Sequence, residues 1–139
     1  MSSLNKTVVI CERAVKLPPF MSQAVVADRT VYVSGSLGID NNIKLVPGGA
    51  GPEMRRALEN MVFCLEAAGS SVDNVVKATI FITDLKDSAI INEEYAKVFK
   101  NHPPARSMVQ VAKLALDAKL EIEVVALVGD VQCVERHSN

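Results

Sequence analysis

The spacing of hydrophobic positions switches along the chain between a period of two and a period near 3.6, and the switches mark its elements. Thr7–Cys11, Ala24–Ala27 and Thr30–Ser34 read as short strands, with Asp28-Arg29 as the tight turn of a hairpin between the last two. Gly35 and Gly38 close this region, and a loop containing Pro47-Gly48-Gly49 follows. From Pro52 to Ala68, residues Met54, Ala57, Leu58, Met61, Val62, Leu65 and Ala68 recur at helical spacing. Pro52 suits a first helical position, Glu53 suits the positive helix end, and Gly69 is a natural stop. A strand is predicted over Val75–Thr83, with Val76, Ala78, Ile80 and Ile82 on an apolar face and Lys77, Thr79, Phe81 and Thr83 on a mixed one. A second helix is predicted from Asp87, as N-cap, to Lys100, with Ile91, Tyr95, Val98 and Phe99 on its buried side. Ser107–Ala112 and Leu120–Val128 are the last strands. In the latter, Leu120, Ile122, Val124, Ala126 and Val128 form an apolar face opposite Glu121, Glu123, Val125 and Leu127.

The order β-β-β-α-β-α-β-β predicts an α+β fold in which two helices cover one face of a single sheet. The other face mixes charged, hydroxyl and apolar side chains, a composition that marks an oligomer contact.

Composition narrows the class. A chain of 139 residues with 49% hydrophobic and 22% charged residues fits one globular domain, residues 1–139. No apolar run approaches a membrane span. The start, MSSLNKTVVICERAV, lacks the basic end, apolar core and small-residue cleavage site of a secretory signal, so a cytoplasmic location is expected. The net charge is −1, the basic residues are scattered, and only 4% of residues are aromatic, which argues against a nucleic-acid partner. Cys11, Cys64 and Cys133 are odd in number and far apart, which speaks against a disulfide framework and a zinc site. No metal-ligand spacing is present.

Candidate chemistry concentrates late in the chain. Pro103 and Pro104 stiffen the approach to Arg106, whose planar guanidinium is suited to gripping a carboxylate in two-pronged fashion. Fifteen residues on, Glu121 and Glu123 share one strand face. Arg106 is expected opposite this carboxylate pair on the next strand, where a cation could bind an acid while a carboxylate holds a water.

These residues also carry a resemblance. PARSMVQVAKL and LEIEVVAL are similar to the C-terminal signature of the RidA/YjgF family of enamine/imine deaminases. The similarity continues through SQAVVADRTVYVSGSLGID, ALENMVFCLEAAGSSVDNVVKATIFITDL and INEEYAKVF. It runs from about Ser22 to Val128 and leaves 129–139 as a tail. The resemblance implies a mostly antiparallel, chorismate mutase-like sheet, a homotrimer with sheets facing a central barrel, and sites in clefts between subunits. It implies hydrolysis of 2-iminoacids to 2-oxoacids and ammonia without a cofactor. Arg106 would bind the substrate carboxylate and Glu121 would hold the attacking water. Ser34, Gly35 and Asn92 would line the pocket, and Glu123 would be structural. The chain departs from the family at Met21, where a tyrosine is common, and at Met108, where a cysteine is common. Smaller departures are Ser36 for glutamine and Leu114-Ala115 for Leu-Pro. The two methionines make the pocket more apolar. They motivate an alternative, a trimer that binds small carboxylates or protein partners without turnover. A ribonuclease or translation-inhibitor role is the third reading, against which stand the missing histidine pair, metal site and basic stripe.

Overall fold

The computed structural model describes residues 3–139. Its first elements are β1 (Lys6–Val9), β2 (Ala24–Ala27) and β3 (Thr30–Ser36), a meander whose second turn is Asp28-Arg29 as predicted. Then come α1 (Ala50–Ala67), β4 (Val75–Ile82), α2 (Ser88–Val98), β5 (Ala105–Gln110) and β6 (Leu120–Leu127). The strands form one six-stranded sheet in the order β1-β2-β3-β6-β4-β5, antiparallel except for the parallel pair β4–β5. Both helices pack on one face, the α+β arrangement expected.

The core lies between that face and the helices. Met54, Leu58, Met61 and Leu65 from α1 meet Val31, Ile80, Ile82, Leu120 and Ile122 from the sheet, all essentially inaccessible to solvent. Each such side chain contributes about 1.5–3 kcal/mol by leaving water. The α1 stop is built as its sequence suggests. Gly69 takes a left-handed φ of 79°, and the Gly69 and Ser70 amides turn back onto the Glu66 and Leu65 carbonyls.

Several expectations are corrected. Val75, 5% exposed, faces the core and Val76, 45% exposed, does not. A bulge between Val75 and Lys77 shifts the alternation by one residue. Asp87 makes no side-chain cap. The capping carboxylate is Asp84, which accepts from the Lys86 amide and starts the 3-10 turn leading into α2. Glu53 does more than face a helix end: its buried carboxylate accepts the Lys119 amide at 2.9 Å, tying the loop before β6 to α1. Gly35 lies within β3 rather than ending it, beside an irregularity between Val33 and Ser36. The strand predicted over Ser107–Ala112 begins two residues earlier, so Arg106 is inside β5, and the first strand is confined to Lys6–Val9.

Candidate active site

Where β3 is irregular, a cleft of about 320 Å³ opens between the chain before β2, the loop after β3 and the loop before β6. Met21, Ser34, Gly35 and Glu121 all line it. The Glu121 carboxylate lies against the Gly35 backbone so closely that a Cβ at position 35 would stand 2.5 Å from Cδ and 2.6 Å from Oε1. Glycine is thus needed for close approach rather than for an unusual φ. Ser34 Oγ donates to the Ser22 carbonyl at 2.6 Å, which orients the hydroxyl and leaves it able to accept. Burial raises the pKa of Glu121, and the nearby Glu123 charge adds to the rise. A half-buried carboxylate of raised basicity in an apolar cleft is suited to taking a proton from water.

Gln23 is a residue that sequence reasoning missed. Its side chain accepts from the Cys11 amide at 2.7 Å and donates to the Cys11 and Val15 carbonyls, so it pins the segment that forms one cleft wall. A glutamine two residues from a candidate site gives no sequence signal of this kind; only the fold brings Cys11 and Val15 to it.

Arg106, Met108 and Asn92 form a second group elsewhere. Arg106 pairs in register with Ala78 and Met108 with Ile80, both fully buried under the helices, so Arg106 and Met108 point to the helix side of the edge strand β5. The Arg106 guanidinium lies over the Tyr95 ring at 4.7 Å, and Tyr95 stacks on Phe99 with centroids 4.4 Å apart. Asn92 is exposed on α2, one turn before Tyr95. Tyr95 was legible in sequence only as a buried helix residue. Its role as a platform for Arg106 depends on α2 packing beside β5. Burial raises the Tyr95 pKa, partly opposed by the Arg106 charge.

The expected juxtaposition of Arg106 with Glu121 is therefore not made within the chain. β4 lies between β5 and β6. Glu121 is opposite Phe81 on the face the helices leave bare, whereas Arg106 is on the covered side. The candidate residues fall into two separate groups, Glu121, Ser34, Gly35 and Met21 at the cleft and Arg106, Asn92 and Met108 on β5 and α2. Adjacency in sequence misled here because β6 inserts between β3 and β4.

Among the described residues, no group of three or more metal-binding side chains gathers, and no helix is long and apolar enough to cross a membrane. Cys64 lies on the cleft wall with its thiol pushed up to about 11 by burial, an unreactive state.

Comparison with known proteins agrees with this architecture. A family model described as Endoribonuclease L-PSP matches residues 14–128. RutC family protein UK114 of Drosophila melanogaster is 50% identical over 133 residues, covering 95% of this chain and 96% of its own. The 2-iminobutanoate/2-iminopropanoate deaminase of Homo sapiens is 43% identical over 130 residues, covering 93% and 95%. The crystal structure of E. coli TdcF with bound serine matches with a TM-score of 0.82 at 37% identity, over 88% of this chain and 99% of its own. Alike in sequence, strand order and helix placement over nearly its whole length, the chain belongs to the RidA/YjgF family, to which the L-PSP model corresponds.

Proposed function

We propose that the protein is an enamine/imine deaminase of the 2-iminobutanoate/2-iminopropanoate type, acting as a homotrimer with its sites between subunits. The observation that carries this is the Glu121 carboxylate, seated on Gly35 in an apolar cleft with its basicity raised. Relatives of the same length bear that activity in their names, and a bound serine in the TdcF structure fits a site for small amino-acid-like carboxylates.

In this reading Arg106 from a neighbouring copy grips the substrate carboxylate at the Glu121 cleft. Glu121 removes a proton from water as the oxygen bonds to the imine carbon. Glu121 then gives that proton to the carbinolamine nitrogen and takes the proton of the new hydroxyl as the C–N bond breaks, so ammonia leaves and a 2-oxoacid remains. The substrate already has an electrophilic carbon, so the reaction asks for no cofactor. Self-association is supported by the bare sheet face. Val8, Tyr32 and Val109 are exposed there, beside Phe81, Val125 and Leu127, which are only partly buried. A cytoplasmic location belongs to the same proposal. RNA cleavage, suggested by the family model's description, finds little support: His102 and His137 both engage the tail residue Glu135, and the net charge is −1.

The test is to supply freshly generated 2-iminopropanoate to purified protein and follow pyruvate, with Arg106→Ala and Glu121→Gln as controls. Release faster than buffer that both substitutions abolish is expected. A rate equal to buffer would overturn the reading.

A further inference from the structure

Two loops at the mouth of the Glu121 cleft hold large apolar side chains in a backbone conformation that usually selects glycine or asparagine. Ile43 has a φ of 61° and Leu116 a φ of 59°, and both line the cleft. For a β-branched residue such a φ is an outlier, kept only where the surroundings enforce it.

The surroundings do enforce it. Asp40 Oδ1 accepts from the Asn42 and Lys44 amides at 2.8 and 3.1 Å, and the Ile43 amide donates to the Asp40 carbonyl at 3.0 Å. The base of this turn is fixed to α1, where the buried Asn60 donates to the Leu37 and Ile39 carbonyls at 3.0 Å and Arg56 Nε donates to Ile39 at 3.1 Å. The second loop closes on itself through the Asp117 and Ala118 amides, and Glu53 of the same helix holds its far end at Lys119. One helix thus anchors both loops.

Stability does not explain the residues chosen. Glycine at either position would relieve the strain. Ile43 is 52% exposed and Leu116 51% exposed, so neither side chain is a full member of the core. What they do supply is apolar surface on either side of a cleft whose other walls include Val15, Leu17 and Ile39. Of the polar side chains there, Gln23 and the Asn60 amide nitrogen are committed to backbone partners and Ser36 bonds the Ser34 carbonyl, while Glu121, Ser34, the exposed Lys16 and the unpartnered Asn60 Oδ1 can meet a ligand's polar end. The space is several times what a methyl or ethyl group fills.

Resting on the deaminase reading, we infer that Ile43 and Leu116 clamp the substrate's side chain, and that this chain prefers iminoacids with branched or extended apolar side chains over those with a methyl group. With the imine carbon at Glu121, the carboxylate leaves toward Arg106 of a neighbour and the side chain goes into the cleft between the two loops.

The test compares imines generated in situ by an amino-acid oxidase from leucine and from alanine. The wild-type kcat/KM should favour the leucine-derived imine by about tenfold or more. In the double variant Ile43→Gly, Leu116→Gly the ratio should collapse toward one, with a melting midpoint no lower than wild type, which shows that the loops still fold. Calorimetric titration with 4-methyl-2-oxopentanoate and pyruvate reads the same preference without turnover. Tighter binding of the longer acid, lost in the double variant, supports the clamp even if no imine is hydrolysed; that result would reject the deaminase reading alone. Equal binding of the two acids by wild type, or an unchanged ratio in the variant, overturns the clamp.

Discussion

Gly35 and Glu121 occupy one volume between them: the carboxylate fills the space where any other residue at position 35 would place its Cβ. The obstructing atoms are the end of a flexible side chain, so a methyl group there should displace the carboxylate rather than break the sheet. Gly35→Ala is expected to lower kcat about a hundredfold, as misplacement of a reacting group by an ångström does. Its melting midpoint should stay near wild type, and thermal denaturation beside steady-state kinetics separates the two effects. A large fall in the midpoint would show instead that Gly35 serves the strand.

The pH profile follows from Glu121. As the base it must be ionised, and burial followed by the Glu123 charge holds its pKa above that of an ordinary glutamate. Activity should therefore fall as pH drops through that raised value. Glu123→Gln removes the second cause, so the acid limb of kcat/KM should move to lower pH while the plateau is kept. An unmoved limb would mean that another group controls it.

Arg106 rests on Tyr95, and the two can be tested apart. Arg106→Lys keeps the charge but loses the planar fork and the stacking, so KM should rise at least tenfold. Tyr95→Leu leaves the guanidinium in place without its platform, and a smaller rise in KM is expected with kcat little changed. Saturation kinetics on both variants checks the order; equal effects would make the ring the principal determinant.

A site shared between subunits predicts complementation. Arg106→Ala and Glu121→Gln should each be inactive alone. When the two are mixed, unfolded and refolded together, random assembly gives about one interface in four with both native groups. Activity should recover to about that fraction. No recovery, in mixtures shown to exchange subunits, would place both groups in one chain's site and contradict the geometry proposed.

Glu94 carries a stability prediction. The buried carboxylate accepts from Arg55 at 2.8 Å and from Lys97 at 3.1 Å, and these bonds hold its pKa below the usual carboxylate range. A lowered folded-state pKa stabilises the fold above the unfolded-state pKa, and the contribution is lost as pH falls through the folded value. Glu94→Gln should lower the melting midpoint at neutral pH, and the gap from wild type should close in acid. Because both cations are more than half exposed, added salt should narrow it too.

What the sequence showed depended on how local each feature is. The α1 stripe from Met54 to Leu65 and the Gly69 stop were legible because helix period and termination are set within a few residues. The alternation in β4 was readable as far back as Ala78 and failed at Val76, where a bulge shifts the phase without a marker in composition. Asp87 sits at the start of α2 as predicted but makes no side-chain cap, because the chain enters the helix through a 3-10 turn whose own cap is Asp84. Arg106 and Glu121 were identifiable as chemistry but not as geometry. Their separation depends on β6 entering the middle of the sheet, a pairing of Thr30 with Leu127 made across most of the chain and invisible to any local pattern. Ile43 and Leu116 carry no signal at all, since neither residue type announces a left-handed backbone.

The position of Arg106 on an open sheet edge, far from Glu121, has a kinetic consequence. In the shared-site reading an isolated subunit holds the grip for one reaction and the base for another, and can complete neither. Output per molecule would then be a property of concentration: proportional to protein while subunits stay together, and falling more steeply than linearly once dilution separates them. An assay carried to high dilution would read assembly directly, with no structural probe.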